Sequence, residues 1–500
     1  MKNFPRSSGV LLHPTSLPGP HGSGDLGAAA YHFVDWLVGA GQSLWQILPL
    51  GGIGPGNSPY MSSSAFAGNV LLIDLRDLSQ RGWLQDDELT THKSFNDLEV
   101  NFSAVVPWRM QKLAIAAQRF LQLGDAQEKR DFLQFKADQE WLSNYSLFMT
   151  LDEAHEHRDW NTWPSTLANR DPTALDEVRL LHGARVHFWE FTQWCFFRQW
   201  AKLRAYANSK NVKIIGDAPI FIAFQSAEVW ARPELFELDT ENKPTVIAGV
   251  PPDFFSATGQ RWGNPLYKWA EHKAEGYAWW IERIRHTFTM VDTVRIDHFR
   301  GFVDYWEIQA NEPTAINGRW VKGPGIDLFN AIQKQLGNLA VVAEDLGIIT
   351  EEVDDLRRNL NFPGMRILHF AFGGDSSNAY LPHNYEANTV VYTGTHDNNT
   401  TLGWWQDASD HEKLHVAHYL GLEANIKVES IIHWKLIASA CASVADTAIH
   451  PMQDVLGLDG AHRMNLPGVG QGYWQWRFQW AQVSPQHAQT LAGLCRLYSR

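Results

Sequence analysis

Cysteine is scarce: Cys195, Cys441 and Cys495 are the only three in 500 residues, and they stand far apart. No Cys-x-x-Cys pair and no even set occurs, which excludes a disulfide framework and a zinc knuckle and leaves the thiols as buried small hydrophobes. No run of roughly 18 or more apolar residues exists to cross a bilayer, so no membrane partner is expected. Met1-Lys2-Asn3-Phe4-Pro5-Arg6 lacks the apolar stretch of about 7–15 residues that a secretory signal needs, and the expected location is the cytoplasm. Basic runs are missing as well. With a formal net charge of −13 the chain repels phosphate backbones, and nucleic acid is not an expected partner.

Two motifs invite readings that their surroundings do not support. Gly22-Ser23-Gly24-Asp25-Leu26-Gly27 fits G-x-G-x-x-G, but prolines at 14, 18 and 20 separate it from the first strand-like run. The second such run ends Leu48-Pro49-Leu50 without a ribose-binding acid, so a tight turn into a helix is expected instead of a dinucleotide site. His155-Glu156-His157 lacks the i, i+4 histidine pair of zinc hydrolases, and the 21 histidines show no other metal spacing. Neither a metal nor a dinucleotide is expected.

What is present is a globular composition, 44% hydrophobic and 19% charged, with 23 tryptophans. Flat indoles such as Trp262, Trp404 and Trp474 suit the apolar faces of sugar rings, and equally a protein core. No linker, low-complexity tract or internal repeat divides the chain. Short β-branched or apolar runs occur at 9–12, 43–50, 212–217, 291–297, 339–344, 365–369, 389–393 and 443–449. Helical spacing falls between them at 28–38, 188–207, 278–288, 328–336, 351–360 and 424–439. Strand alternating with helix in this way predicts a (β/α)8 TIM barrel over residues 1–500, one catalytic unit with insertions at about 75–186, 219–277 and 301–325. The first insertion shows helical patterns at 109–123 and 131–151; the second, rich in Pro, Gly and aromatics, reads as a loop that shapes a cleft.

In such a barrel, reactive groups project from the C-terminal ends of strands. Alternation along Asp292-Thr293-Val294-Arg295-Ile296-Asp297 puts Arg295 and Asp297 on one face, where the guanidinium would keep the carboxylate ionised, as a glycosidic nucleophile requires. A helix cap beside a structural arginine is the competing reading. Glu344 emerges from the apolar run 339–343, surroundings that raise a carboxyl pKa and suit a general acid, or it begins a helix before Gly347. His396 and Asp397 follow Gly394 side by side, which an Asx-type turn also explains. Their conjunction on three strands of one rim matches a retaining glycosidase: one carboxylate attacks the anomeric carbon, and a protonated carboxyl about 5–5.5 Å away serves the leaving oxygen.

These motifs, with Gly9-Val10-Leu11-Leu12-His13-Pro14-Thr15-Ser16, Gly56-Asn57-Ser58-Pro59-Tyr60, Gly216-Asp217-Ala218-Pro219, Pro251-Pro252-Asp253, Arg261-Trp262-Gly263-Asn264 and Arg463-Met464-Asn465, resemble the 4-α-glucanotransferases of the amylomaltase or disproportionating type, glycoside hydrolase family 77. The resemblance spans nearly the whole chain. It implies transfer of an α-1,4-glucan segment to the 4-hydroxyl of glucose or another maltooligosaccharide, with retention and no cofactor. By that resemblance Asp297 is nucleophile, Glu344 acid/base and Asp397 the stabiliser that holds the donor sugar. Arg295 then hydrogen-bonds the nucleophile, His396 binds the same sugar and Asp217 supports the site. Tyr60 and Trp262 offer stacking surfaces, and Ser58, Asp253 and Asn465 make polar contacts. The chain departs from the family pattern at Asn399, where an acid is common, at His369, where Gln is usual, and at Val469-Gly470; these bear on acceptor preference. An amylase-like hydrolase would share the carboxylates, since water or a sugar hydroxyl can intercept the same intermediate. A catalytically silent glucan-binding barrel is the reading from a different class.

Overall fold

The computed structural model describes residues 6–91, 95–252, 256–422 and 427–500. Among them are the strands β1 (Ser7–Leu11), β2 (Leu44–Gln46), β3 (Lys213–Pro219), β4 (Val246–Val250), β5 (Gln260–Pro265), β6 (Thr293–Asp297), β7 (Asp304–Gln309), β8 (Gly318–Lys322), β9 (Val341–Ala343), β10 (Gly364–Ile367), β11 (Thr389–Tyr392) and β12 (Thr447–Pro451). Eight of these form one parallel sheet in the order β10-β11-β12-β1-β2-β3-β6-β9. It is drawn shut where the Ala343 amide donates to the Pro363 carbonyl at 2.9 Å, beside the start of β10. Helices follow the strands, as the alternating pattern predicts. Gly9 is dictated by the close approach of β1 to β2, because a Cβ there would lie 2.5 Å from Leu44 on the neighbouring strand.

Each expected strand forms, but most are shorter than their apolar runs. The 43–50 run pairs only over Leu44–Gln46 before turning into the rim, and the 443–449 run starts late because Ser443 still caps the helix Ile432–Ala442. His369, expected at a strand end, lies in a 3-10 turn, Leu368–Phe370. The helix expected over 424–439 begins at Ile432; residues 423–426 lie outside the described residues.

The insertions differ more. The single pattern over 131–151 is two helices, Ala126–Asp138 and Glu140–Ala154, because Gln139 (φ −111°, ψ 88°) leaves helical geometry between them. The insertions after β3 and β6, expected separately and the first of them as a cleft-shaping loop, fold together into a four-stranded antiparallel sheet, β5-β4-β7-β8. Register pairs Gly249 with Trp306 and Trp306 with Trp320, putting these tryptophans on one face. Trp262, of opposite parity on β5, meets His298 and Phe221 from the barrel. All three cysteines are buried thiols, as expected. No helix of the described residues is long and apolar enough to cross a membrane.

Candidate active site

The site starts from the β3–β6 register, which sets Asp217 opposite Arg295 and Pro219 opposite Asp297. Residues two apart on β6 share a face, so Arg295 lies between two carboxylates. Its Nη1 donates to both oxygens of Asp217 at 2.8 and 2.7 Å, and its Nη2 meets Asp297 Oδ1 at 2.9 Å. Burial opposes the charge on Arg295, but the two carboxylates outweigh it and hold the guanidinium firmly protonated. Burial pushes the Asp217 carboxyl up, with Arg295 opposing the rise.

From Asp217 the network crosses to the 59–61 turn and the segment after β11. The Tyr60 hydroxyl donates to Asp217 Oδ2 at 2.7 Å. That uses its only proton, so His396 Nε2, 2.9 Å away, is the protonated nitrogen and donates to the Tyr60 oxygen. The two rings stack at 5.3 Å. Ser58 Oγ accepts the Tyr60 amide and caps the turn that presents the ring. Asp397 Oδ1 accepts the Asn465 side-chain amide at 2.6 Å and lies 3.4 Å from His396 Nε2. Arg463 donates to the Asp397 carbonyl and Asn465 to that of His396, so the 463–465 segment braces this carboxylate by main chain and side chain together.

Glu344 stands one residue beyond β9. Its Oε2 accepts the His298 amide at 2.7 Å and its Oε1 accepts the Leu346 amide at 2.9 Å. His298 adopts a left-handed backbone (φ 52°) immediately after Asp297, which turns its N–H toward Glu344. Burial, and then the charge of Asp297, push the Glu344 pKa up to about 7, against the pull of Arg295 and the two amides. A carboxyl that keeps its proton near neutrality beside a paired carboxylate is arranged for general acid work.

Of the residues expected at the site, Tyr60, Asp217, Arg295, Asp297, His396, Asp397 and Asn465 are joined by this network, and Glu344 is fastened to it through His298. Ser58 acts on Tyr60. Trp262 stands edge-on to the His298 ring at 4.9 Å, its indole N–H given to Gln260. Asp253 lies outside the described residues. His298 and Arg463 are not singled out by the sequence as site residues, and Trp474 is singled out only as one indole among several. Trp474 flanks both Tyr60 and His396 at 5.7 and 5.8 Å, with a left-handed backbone (φ 67°) no local pattern announces; His298 was signalled only by its place after Asp297. Among the departures, Asn399 donates to Asp407 and His369 packs behind the Asp397 segment, so neither is part of the network. No cluster of three or more potential metal ligands occurs among the described residues. His157 is instead paired with Asp152 at 2.6 Å.

A family profile described as 4-alpha-glucanotransferase matches residues 12–483. A 4-alpha-glucanotransferase of Thermus thermophilus is 48% identical over 501 residues, covering 99% of each chain. The chloroplastic/amyloplastic 4-alpha-glucanotransferase of Solanum tuberosum is 44% identical over 484 residues, 95% of this chain and 82% of its own. Among solved structures, an amylomaltase from Streptococcus agalactiae in complex with acarbose superposes with a TM-score of 0.96 at 38% identity, covering 99% of both chains.

Proposed function

This chain belongs to the 4-alpha-glucanotransferase family, glycoside hydrolase family 77, and from that premise we propose how its mouth carboxylates divide the reaction. The enzyme transfers a segment of an α-1,4-glucan, with retention, to the 4-hydroxyl of glucose or another maltooligosaccharide. Asp297 attacks the anomeric carbon of the donor while Glu344 gives its proton to the departing glycosidic oxygen, leaving a glycosyl ester on Asp297. Glu344, now a carboxylate, takes the proton of the acceptor 4-hydroxyl as that oxygen displaces Asp297. Asp397 and His396 hold the donor ring, Asp397 against the positive charge that grows at the transition state. Tyr60 and Trp262 supply faces on which glucose rings stack. The whole chain acts as one catalytic unit, and the cytoplasm, where its buried thiols stay reduced, is its compartment.

The observation that carries this reading is the pairing of Glu344 with the amide of His298, the residue next to Asp297. It fastens the proposed acid to the strand of the proposed nucleophile. Incubation with maltotriose tests the reading: the parent enzyme should yield glucose and a ladder of longer oligosaccharides without net gain of reducing ends, and Asp297→Asn should yield neither. A net gain of reducing ends would turn the assignment to an amylase-like hydrolase. Transfer at the parent rate by Asp297→Asn would overturn the nucleophile, since an amide cannot form the ester.

A further inference from the structure

The segment carrying His396 and Asp397 is gripped from the barrel side by Asp454, a residue whose hydrogen bonds go to neither. Asp454 sits in the helical turn Met452–Val455 after β12 and is 1% exposed. Its Oδ2 accepts the Thr393 hydroxyl at 2.5 Å and the Thr401 hydroxyl at 2.8 Å, and its Oδ1 accepts the Thr401 amide at 2.6 Å. Thr393 is the first residue past β11, and Thr401 opens the helix Thr401–Asp407. One carboxylate therefore holds both ends of the 393–401 segment.

The surrounding contacts complete the grip. The Thr401 hydroxyl spends its proton on Asp454, so His369 Nε2, 3.0 Å away, donates to the Thr401 oxygen. His369 is stacked on Trp404 at 5.0 Å, and a Cβ on Gly394 would lie 2.6 Å from its ring, so the segment's second residue rests on it. Inside the segment Asn398 Oδ1 accepts both the amide and the hydroxyl of Thr395 at 2.8 Å. A neutral amide at position 454 with its oxygen in the Oδ2 place would still accept both hydroxyls but would turn a donor N–H toward the Thr401 amide, so only a carboxylate satisfies all three donors.

We propose that Asp454 is a positioning residue for the transfer reaction, a two-ended clasp that sets the 393–401 segment on the barrel and so aims Asp397 and His396 at the donor sugar. The proposal rests on the reading of Asp397 as the carboxylate that holds that sugar. Asp454→Ala in the full-length enzyme should lower kcat for maltotriose disproportionation by about 10²-fold, the scale of an ångström-size misplacement. A lesion that acted through general damage would add to any other. A clasp acting through His396 and Asp397 would not, so in a background lacking both side chains (His396→Ala with Asp397→Ala) Asp454→Ala should change the residual rate by less than about twofold. Losses that multiply in that combined variant, or parent-like kcat in a folded Asp454→Ala, overturn the proposal. Should Asp454→Ala not fold, Thr393→Val removes one donor while keeping the shape; it should cost about fivefold alone and nothing in the His396→Ala, Asp397→Ala background, and parent-like kcat there also overturns it. Asp397→Ala at the parent rate would sink the reading of Asp397 itself, and the clasp's role with it.

Discussion

Asp297 and Asp397 face the same sugar in the proposed reaction but reach it by different means. Asp297 is the last residue of a barrel strand; its height is fixed by register, and its oxygen is fixed by a guanidinium on the same strand. Asp397 stands five residues beyond β11 with 43% of its side chain exposed, against 30% for Asp297, and is fixed by a side-chain amide, a neighbouring imidazole and a stapled segment. The difference teaches that charge is set by the barrel and shape by the loops. A nucleophile must not move relative to its acid and is built into a strand, whereas the group that holds the sugar is carried on a segment pinned at both ends.

The comparison breaks most visibly at Arg295. Arg295→Met strands the buried Asp217 and its neighbour Asp297 without a counter-charge, and should cost about 3–5 kcal/mol of stability along with nearly all turnover; chemical denaturation alongside maltotriose assays measures both. If stability is untouched, the strand-borne array is not the rigid half of the site. Next comes Glu344→Gln, expected to lower kcat/KM for the donor by about 10²–10⁴-fold. Because the raised pKa of about 7 keeps Glu344 protonated below neutrality, donor kcat/KM should be full at lower pH and fall as pH rises through about 7. That limb should vanish in Glu344→Gln and survive in Asp397→Asn; a limb that persists without Glu344 belongs to another group. On the loop side, Asn465→Ala removes the amide from Asp397 while its main-chain bond to His396 remains, and should cost about tenfold in kcat/KM with stability changed by less than about 0.5 kcal/mol. A large stability loss there would erase the contrast between the two carboxylates. The smallest effect is expected from Tyr60→Phe, about fivefold, since His396 Nε2 loses its acceptor but can turn to Asp397 Oδ1.

The barrel was legible because each of its strands is a local apolar run followed by a polar residue, and alternation within β6 alone predicted that Arg295 and Asp297 share a face. The strand ends were less so: Glu344, His369 and Thr393, read as the last residues of their strands, fall just beyond the strands that form, since pairing stops where the neighbouring strand turns away, which depends on another part of the chain. The second sheet was not legible at all. β4 pairs with β5 and with β7 from the far side of β6, so its partners lie partly in another insertion, and Gly249 with its bulged register blurs any alternation. Gln139 leaves helical geometry between two helix-forming stretches, and a glutamine gives no local signal of a break. The meeting of Asn465 with Asp397 was reachable only through family resemblance.

Because β4 and β5 precede the nucleophile strand and β7 and β8 follow it, the small sheet straddles β6 in sequence as a pair of tongs with one hinge. Grafting a relative's 246–265 stretch to alter which acceptors are used would leave its partner, 304–322, cut for the old template. The two stretches have to be exchanged as one cassette, and natural variation in one should be mirrored by change in the other.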